Sequence, residues 1–541
     1  MEKIEEKTKE GLKNKVKNVL NDKYNIAFLI ILLIAILCRV LFLEQFPAGI
    51  DQDEAGMMYD SYCMAEYGTD RYLNENPVYL INFWGGQSVM YAAIASFFIR
   101  IFGLSVFVVR LPAVIFSILT IILAYLLAKK YIGKKFALVL AFLITICPWH
   151  VMQSRWGLDC NLLASFIMLS VYALLNAKKD WHYLLAGVCW GLTLYTYALS
   201  YIMLPVFFIA LCIYLLYVKK ITIKQILITI IPILILAIPL ILVQVVNYFE
   251  RGTVKLGFIT IPQLFRYRIS EIGFDNVLYN LNITNKNNFW QLLFASCNSQ
   301  SHTLQEFGTI YYILIPFVIW GFILIIKESI STIKRKEFNL KTVFLIQFIT
   351  ISLCVIFFYD LLTYKLNPLF IMLLVFATEA IVWIYEKRKI LGHCIIVSLV
   401  ILFIIFEIFY FTNINEKVGI GFNSDFIPLV TYLEENYPNQ EIYMETDSLQ
   451  QYIYLLLAKE MSPYEFMEDK TFLRYIGGEI DVIQVERYHF LEFELHEDWI
   501  YVVEENNLFR PEEEREVRDA LEEAGFSYEK YNNFFIYSYS E

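Results

Sequence analysis

Long apolar runs, separated by short basic segments, dominate the first three quarters of the chain. Eleven of these runs are candidate membrane-spanning helices, because a helix of about 20 apolar residues crosses the hydrocarbon layer of a bilayer. The predicted spans are 24–43, 109–128, 136–148, 162–177, 182–199, 201–218, 225–246, 309–327, 342–359, 367–385 and 392–412. A further apolar stretch, Val89–Phe102, is short and contains Arg100, and we interpret it as an interfacial helix.

Clusters of Lys and Arg predict the orientation of these spans. The clusters are 129–135, 178–179, 219–224, 334–341 and 387–389. If Val89–Phe102 does not span, all of them lie in the cytoplasm together with the Lys-rich segment 1–23, as the positive-inside rule requires. If it does span, the later clusters lie outside. The charge pattern therefore predicts a cytoplasmic N-terminus, a first outer loop at about 44–108 and an extracytoplasmic C-terminus.

The pattern changes beyond the last predicted span. Short amphipathic segments replace the apolar runs, with helices predicted at 425–437 and 511–524 and strands at 441–445, 499–504 and 534–539. From Asn415 onwards the chain holds 29 acidic and 9 basic side chains, so this segment carries −20 and the remainder carries +10. Its length suits one small domain. We predict a transmembrane domain over 24–412 and an extracytoplasmic acidic α/β domain over 415–541.

Composition excludes a soluble globular protein. The 541 residues are 58% hydrophobic and 18% charged, and the mean hydropathy is +0.52. A soluble chain of this length could not bury so much apolar surface. The predicted fold class is an all-α polytopic membrane domain with about 11 transmembrane helices, interfacial helices in the first outer loop and a small C-terminal α/β domain. We expect the lipid bilayer as a partner and no nucleic acid.

Three carboxylates, Asp51, Asp53 and Glu54, follow the first predicted span within four residues. Charged groups beside a bilayer are costly, so such positions are candidate functional sites. An acidic loop after a span is also compatible with a simple solvated surface. A carboxylate in a partly desolvated site suits the removal of a proton from a hydroxyl group.

A second predicted outer loop, 148–161, carries His150, Arg155 and Asp159 beside Trp156. Tryptophan is common at membrane interfaces, and a single Arg at a helix end often extends towards the headgroups. The combination of a base, a cation and an acid is less usual, and an Arg suits an anionic group. No ligand spacing favours a metal held by His150 and the first-loop carboxylates, and the sequence leaves a divalent metal open.

Lys365 and Asn367 lie at a third predicted outer edge. A lone Lys at this depth either extends to the interface or holds a lipid phosphate.

Four motifs, taken in order, carry a family resemblance. They are Asp51-Gln52-Asp53-Glu54-Ala55, Trp84-Gly85-Gly86-Gln87-Ser88, Phe102-Gly103-Leu104-Ser105 with Val109-Arg110-Leu111-Pro112, and Pro148-Trp149-His150 with Ser154-Arg155-Trp156-Gly157-Leu158-Asp159. This set resembles the membrane glycosyltransferases of the GT-C class, and within it the protein O-mannosyltransferase-like branch that includes the bacterial aminoarabinose transferase for lipid A. The similarity extends from about Tyr24 to Asn367, and the tail does not resemble the sugar-binding domain of eukaryotic protein mannosyltransferases.

The resemblance implies a donor sugar on a polyprenyl or dolichyl phosphate and an Asp that activates the acceptor. Carried over to this chain, Asp53 is the base, and the other catalytic candidates are Glu54, Asp51 and Asp159. The implied ligands of the donor phosphate are Lys365, Arg155 and Arg110. The implied substrate-lining residues are His150, Trp156, Trp84, Gln87 and Asn367. A single displacement predicts inversion at the anomeric carbon.

We therefore expect transfer of a sugar from a polyprenyl-phosphate donor to an extracytoplasmic glycan, lipid or protein acceptor. One alternative is a polysaccharide polymerase or ligase that uses a diphosphate-linked donor. A less favoured alternative is a lipid or solute transporter, which predicts charges buried mid-span and broken helices in repeated halves. The predicted spans contain only scattered acidic residues such as Glu379 and Glu407, and no repeat is visible.

Overall fold

The computed structural model describes residues 22–83, 85–264, 272–285, 288–295, 304–359, 361–419, 421–445, 450–474, 480–490, 493–505 and 511–539. Residues 1–21 of the predicted basic N-terminal segment and Trp84 lie outside this part of the chain.

Helices account for most of the chain as far as residue 418. In order they are α1 (Lys23–Val40), α2 (Gln52–Glu66), α3 (Val89–Phe102), α4 (Val106–Tyr131), α5 (Lys134–Ile146), α6 (Pro148–Gln153), α7 (Cys160–Asn176), α8 (Asp180–Thr193), α9 (Ser200–Tyr217), α10 (Ile223–Tyr248), α11 (Phe274–Leu281), α12 (Phe289–Phe294), α13 (Ile315–Lys334), α14 (Leu340–Val355), α15 (Asn367–Lys387) and α16 (Lys389–Val418). Two short strand pairs accompany them, β1 (Tyr79–Leu80) with β2 (Gln87–Ser88) and β3 (Val254–Leu256) with β4 (Ile259–Ile261).

Every predicted span coincides with one of these helices. Among the described residues, seven helical segments are long and apolar enough to cross a membrane, and they contain α1, α4, α9, α10, α13, α15 and α16. The other four helices at predicted spans, α5, α7, α8 and α14, have 13, 17, 14 and 16 residues. The chain is therefore a multi-pass membrane protein, and four of its predicted spans form helices shorter than a bilayer typically requires.

The described chain divides into two compact units. The first comprises the described residues within 1–46, 110–237 and 271–414. Its central helix is α15, whose residues from Asn367 to Thr378 are all buried. Helices α5, α7, α13 and α14 pack against it.

The second unit comprises 47–109, 238–270 and 415–541. Its C-terminal part contains α17 (Phe426–Asn436), β5 (Ile442–Glu445), α18 (Tyr452–Ala458), α19 (Pro463–Asp469), β6 (Lys470–Arg474), β7 (Ile480–Val485), β8 (Tyr488–His489), β9 (Ile500–Glu504), α20 (Pro511–Glu523), β10 (Phe526–Tyr531) and β11 (Phe534–Tyr539). The strands form one sheet in the order β10-β11-β9-β5-β8-β7-β6, in which β5 is parallel to β8 and β9 and the other pairs are antiparallel. The predicted α/β character is confirmed, whereas α18, α19, β6, β7, β8 and β10 were not predicted.

Helix α2 lies in the hydrophobic core of the second unit. Its residues from Glu54 to Cys63 are all buried. Met58, Tyr59 and Tyr62 share one apolar cluster with α17, α18 and the C-terminal sheet. The first loop and the C-terminal segment are therefore parts of one folded unit, and α2 is not a surface helix.

Candidate active site

Asp51 begins α2 and caps it. Its Oδ1 accepts a hydrogen bond from the backbone N–H of Glu54 at 2.8 Å, which satisfies one of the free donors of the first turn. Asp53 and Glu54 lie within that first turn. A helix N-terminus carries a partial positive charge, which is complementary to acidic side chains.

The three carboxylates differ in their access to solvent. Asp51 is 7% exposed and Glu54 is fully buried, whereas Asp53 is half-buried. This burial does not fit the interpretation of the acidic cluster as a solvated loop. Of the three, Asp53 is the carboxylate that a substrate reaches most readily.

Asp53 is held by two amide side chains. Asn82 Nδ2 donates to Oδ1 of Asp53 at 3.1 Å, and Gln87 Nε2 donates to the backbone carbonyl of Asp53 at 3.3 Å. Gln87 stands in β2, which pairs with β1, and Asn82 follows β1. Sequence reasoning found Gln87 and missed Asn82, whose only signal is its position shortly before the motif that contains Gln87.

Gly56, one turn after Asp53, allows three side chains to approach α2. A Cβ atom at this position would lie 2.8 Å from both Arg71 Nη2 and Asn82 Oδ1, and 3.1 Å from Phe83 Cε2. These distances are shorter than normal contacts. The absence of a side chain at Gly56 therefore allows Asn82 to reach Asp53.

Asp60 of α2 forms an ion pair with Arg71, which follows the helix, and both side chains are fully buried. Arg71 Nη2 lies 2.7 Å from Asp60 Oδ2 and donates to the carbonyl of Gly56 at 2.6 Å. Burial, and next the charge of Asp60, raise the pKa of Asp70 to about 7. Arg71 therefore links two positions of the helix that carries Asp53, the side chain of Asp60 and the carbonyl of Gly56. The sequence motifs did not indicate this contact.

In the first unit, Arg155 holds the end of α1. Its Nη1 donates to the carbonyl of Cys38 at 3.1 Å, and its Nη2 donates to the carbonyls of Leu41 and Phe42 at 2.9 and 2.8 Å. Its Nε donates to the carbonyl of Phe46 at 2.9 Å. The guanidinium is fully buried and satisfies carbonyls that the helix leaves open. These contacts do not support the predicted role of Arg155 as a ligand of the donor phosphate.

Arg110 binds the same segment, since its Nη1 donates to the carbonyl of Leu43 at 2.8 Å. It is fully buried. The hydroxyl of Tyr410 donates to the carbonyl of Phe46 at 3.2 Å. The chain that leads from α1 towards Asp51 is thus held by two buried arginines and a tyrosine.

His150, predicted to line the substrate site, is a buried partner of Arg39. Its Nδ1 lies 2.9 Å from Arg39 Nη2. Burial and the charge of Arg39 lower the pKa of His150 well below its ordinary value. A neutral imidazole that accepts from Arg39 fits this geometry, and the contact indicates a structural role.

Asn367, Trp156 and Asp159 lie around the start of α7. Trp149 Nε1 donates to Asn367 Oδ1 at 2.7 Å, and Asn161 Nδ2 donates to the carbonyl of Trp156 at 2.8 Å. Asp159 Oδ1 accepts from the N–H of Cys160 at 2.7 Å and caps α7. All three predicted residues are buried, so the structure brings them together as a polar network inside the first unit.

Lys365 is half-buried in the short turn directly before α15. Its Nζ donates to the carbonyl of Tyr359 at 3.3 Å. Among the phosphate ligands predicted from the sequence, it is the one whose cation is not fully buried. Its position agrees best with an anionic ligand.

No group of three or more His, Cys, Asp or Glu side chains converges to hold a metal ion within the described residues.

The chain is similar in sequence and in fold to known proteins. Residues 86–249 match the family model of dolichyl-phosphate-mannose-protein mannosyltransferase. A search of curated protein sequences finds no match. ArnT from Cupriavidus metallidurans bound to undecaprenyl phosphate superposes with a TM-score of 0.51 and 12% identity, covering 94% of this chain and 97% of that chain. The apo state of the same ArnT gives a TM-score of 0.52 and 10% identity, covering 95% and 97%.

Likeness to the oligosaccharyltransferase AglB from Archaeoglobus fulgidus is weaker, with a TM-score of 0.46 and 14% identity over 80% of this chain and 63% of that chain. At the identities of the ArnT structures, the superpositions establish the fold. The chain has the fold of a GT-C class membrane glycosyltransferase, and the sequence of residues 86–249 matches such a family. The fold and the family match of residues 86–249 therefore confirm the predicted class, a glycosyltransferase similar to ArnT and to the mannosyltransferases.

Proposed function

We propose that the protein transfers a sugar from a polyprenyl-phosphate donor to a hydroxyl of an extracytoplasmic glycan, lipid or protein, with Asp53 as the general base. The observation that carries this proposal is the environment of Asp53. It is a half-buried carboxylate in the first turn of a buried helix. Asn82 donates to this carboxylate, and Gln87 donates to the backbone carbonyl of the same residue. A base fixed by hydrogen bonds at a helix N-terminus suits the removal of a proton from a bound hydroxyl.

The reaction is a single displacement. Asp53 takes the proton of the acceptor hydroxyl while that oxygen bonds to the anomeric carbon. The bond from this carbon to the phosphate oxygen breaks, and the polyprenyl phosphate leaves with the bonding electron pair. Attack from the face opposite the phosphate inverts the anomeric configuration, and no covalent glycosyl-enzyme is formed.

The donor class is supported by two findings. The matched family is described by its dolichyl-phosphate-mannose donor, and the superposed ArnT binds undecaprenyl phosphate. Lys365 is the residue we assign to the carrier phosphate, because a cation at headgroup depth stabilises phosphate and the charge that develops on it. Arg155 and Arg110 are assigned to the support of the segment from Cys38 to Phe46.

The proposed orientation follows the charge pattern. The basic clusters would lie in the cytoplasm, and α2 and the acidic C-terminal segment would face outward. A lipid-borne donor suits this side, because soluble nucleotide sugars are not needed there.

The ion pair made by Glu379 does not favour the transporter alternative. Its carboxylate lies 2.8 Å from Lys341 Nζ, and Glu328 also lies 2.8 Å from the same Nζ. The charge is therefore paired in a three-residue network.

A donor panel in proteoliposomes tests the proposal. Labelled polyprenyl-phosphate hexoses and their diphosphate counterparts are supplied with cell-envelope extract as acceptor. Wild type is expected to consume a monophosphate-linked sugar, Asp53→Asn to lose this turnover, and Asp469→Asn, a change at an exposed carboxylate of α19, to retain it. Consumption of diphosphate-linked donors alone would replace the proposal with the polymerase or ligase alternative.

A further inference from the structure

The C-terminal segment contacts the chain directly before Asp51 at three consecutive residues. Asn415 Oδ1 accepts from the N–H of Ala48 at 2.8 Å. A Cβ atom at Gly49 would lie 2.2 Å from the carbonyl oxygen of Phe422, and the φ of Gly49 is +77°. The hydroxyl of Tyr454 donates to the carbonyl of Ile50 at 3.1 Å. Residues 48–50 are therefore shaped by residues more than 360 positions later in the chain.

Packing and hydrogen bonds fix the position of the Tyr454 side chain. It lies in α18, is fully buried, and its ring lies 5.2 Å from that of Phe426. Its hydroxyl accepts a hydrogen bond from Asn423 Nδ2 at 2.7 Å. A hydroxyl with a fixed donor and a fixed acceptor has one preferred orientation, so the O–H group is directed at the Ile50 carbonyl.

The Ile50 peptide determines where α2 starts. Asp51 follows it directly, and its carbonyl and Oδ1 accept from the N–H groups of Ala55 and Glu54, both at 2.8 Å. Asp53 comes two residues after this cap. A change in the orientation of the Ile50–Asp51 peptide would turn the first helical turn and move the carboxylate of Asp53.

We propose that Tyr454, oriented by Asn423, is a positioning residue for Asp53, so that the C-terminal segment completes the active site of the membrane enzyme. This inference rests on the proposed function of Asp53. It gives a role to the tail, for which the sequence predicted only an extracytoplasmic acidic α/β domain. The electrostatics agree: burial, and then the carboxylates of Asp51, Glu54 and Asp53, raise the pKa of Tyr454 well above its ordinary value, so the hydroxyl keeps the proton that it donates.

Steady-state kinetics of Tyr454→Phe test the proposal. The substitution keeps the ring and removes the hydroxyl, so we expect kcat to fall about tenfold and the KM for the donor to stay unchanged. Tyr488→Phe is the matched control, because Tyr488 is also fully buried and its hydroxyl donates to Glu434 inside the C-terminal domain. Asn423→Ala is expected to reproduce part of the loss.

A double-mutant cycle separates positioning from general stability. If Tyr454 acts through Asp53, adding Tyr454→Phe to Asp53→Asn causes no further loss of kcat. Additive losses, or an equal loss in Tyr488→Phe, would overturn the proposal.

Hydrogen exchange gives a measurement that does not depend on the donor. In the full-length protein, Tyr454→Phe should raise the exchange rates of the Ala48, Glu54 and Ala55 amides, and Tyr488→Phe should leave them unchanged. Unchanged exchange in Tyr454→Phe would overturn the inference even if kcat falls. If no donor is consumed by wild type, the proposed function fails, and exchange alone still decides whether Tyr454 holds this segment.

Discussion

Asn82 donates a hydrogen bond to the carboxylate of Asp53 at 3.1 Å, although 29 residues separate them in the chain. Asn82 follows β1, which pairs with β2, and both strands lie near the start of α2. Because Gly56 has no side chain, the amide of Asn82 can pass close to α2 and reach Asp53. The candidate base is therefore oriented by a residue outside the acidic motif that identifies it.

We expect Asn82→Ala to lower kcat by about 10- to 100-fold, because a hydrogen bond to a charged group contributes about 1.5–3 kcal/mol. The measurement is kcat for donor consumption. Asn533→Ala is the matched control, because Asn533 donates to Asp425 at the same distance, 3.1 Å, on the exposed surface of the C-terminal domain. Equal activity of Asn82→Ala and wild type would remove Asn82 from the site.

Asp70 predicts a pH dependence of stability. In the folded protein its carboxyl group retains its proton up to about pH 7, against an ordinary pKa of 3.8, because of burial and the neighbouring charge of Asp60. Between these values the folded state binds a proton that the unfolded state has lost, so this contribution to stability decreases as the pH rises. Arg71, paired with Asp60, is the cation of the same cluster.

Melting temperatures measured in detergent between about pH 5 and about pH 8 test this dependence. The decrease on raising the pH should be steeper for wild type than for Asp70→Asn, which cannot ionise. Asp469→Asn should follow wild type. Parallel curves for wild type and Asp70→Asn would show that Asp70 has no raised pKa.

Arg155→Lys distinguishes the structural role of Arg155 from the phosphate-binding role inferred from its motif. A lysine cannot reach the four carbonyls that Arg155 contacts, so we expect a loss of about 2–4 kcal/mol in the free energy of unfolding. The donor KM of the folded fraction should be unchanged. The reverse result, a raised KM with normal stability, would restore the phosphate assignment. Arg335→Lys, at an exposed ion pair, is the control.

Lys365→Gln is expected to raise the donor KM about fivefold, because a cation near a lipid headgroup contributes about 1 kcal/mol. The control is Lys387→Gln at the exposed opposite end of α15. The measurement is donor consumption in proteoliposomes over a range of donor concentrations. An unchanged KM for Lys365→Gln, or the same rise in both variants, would contradict its role as a phosphate ligand.

Sequence patterns predicted the parts of this molecule that depend on local composition. Apolar runs located the helices of the membrane region, because hydrophobicity is independent of tertiary contacts, and the acidic motif located the start of α2. The tail was harder to predict, because charged and polar residues interrupt the apolar pattern of β6 and β7, and β8 has only two residues.

The supporting residues could not be predicted, because their contacts join segments that are far apart in the sequence. Asn82 and Tyr454 matter because of contacts that span 29 and 404 residues of sequence. The sequence predicts a substrate-lining role for His150 and a phosphate-binding role for Arg155, because of their residue types and their loop. Their hydrogen-bond partners lie about 110 residues away, at the end of α1. A residue type in a loop indicates what chemistry is available, and the tertiary contact decides whether it is used for structure.

The most direct test of the account is the kcat of Asp53→Asn in proteoliposomes with the donor identified by the panel. The substitution keeps the size of the side chain, and α2 should remain folded because Asp51 still caps it. Loss of a general base lowers the rate by about 10²- to 10⁴-fold, and we predict a loss in this range with an unchanged donor KM and normal thermal stability. Wild-type turnover in a folded Asp53→Asn protein would contradict the assignment of Asp53 as the base.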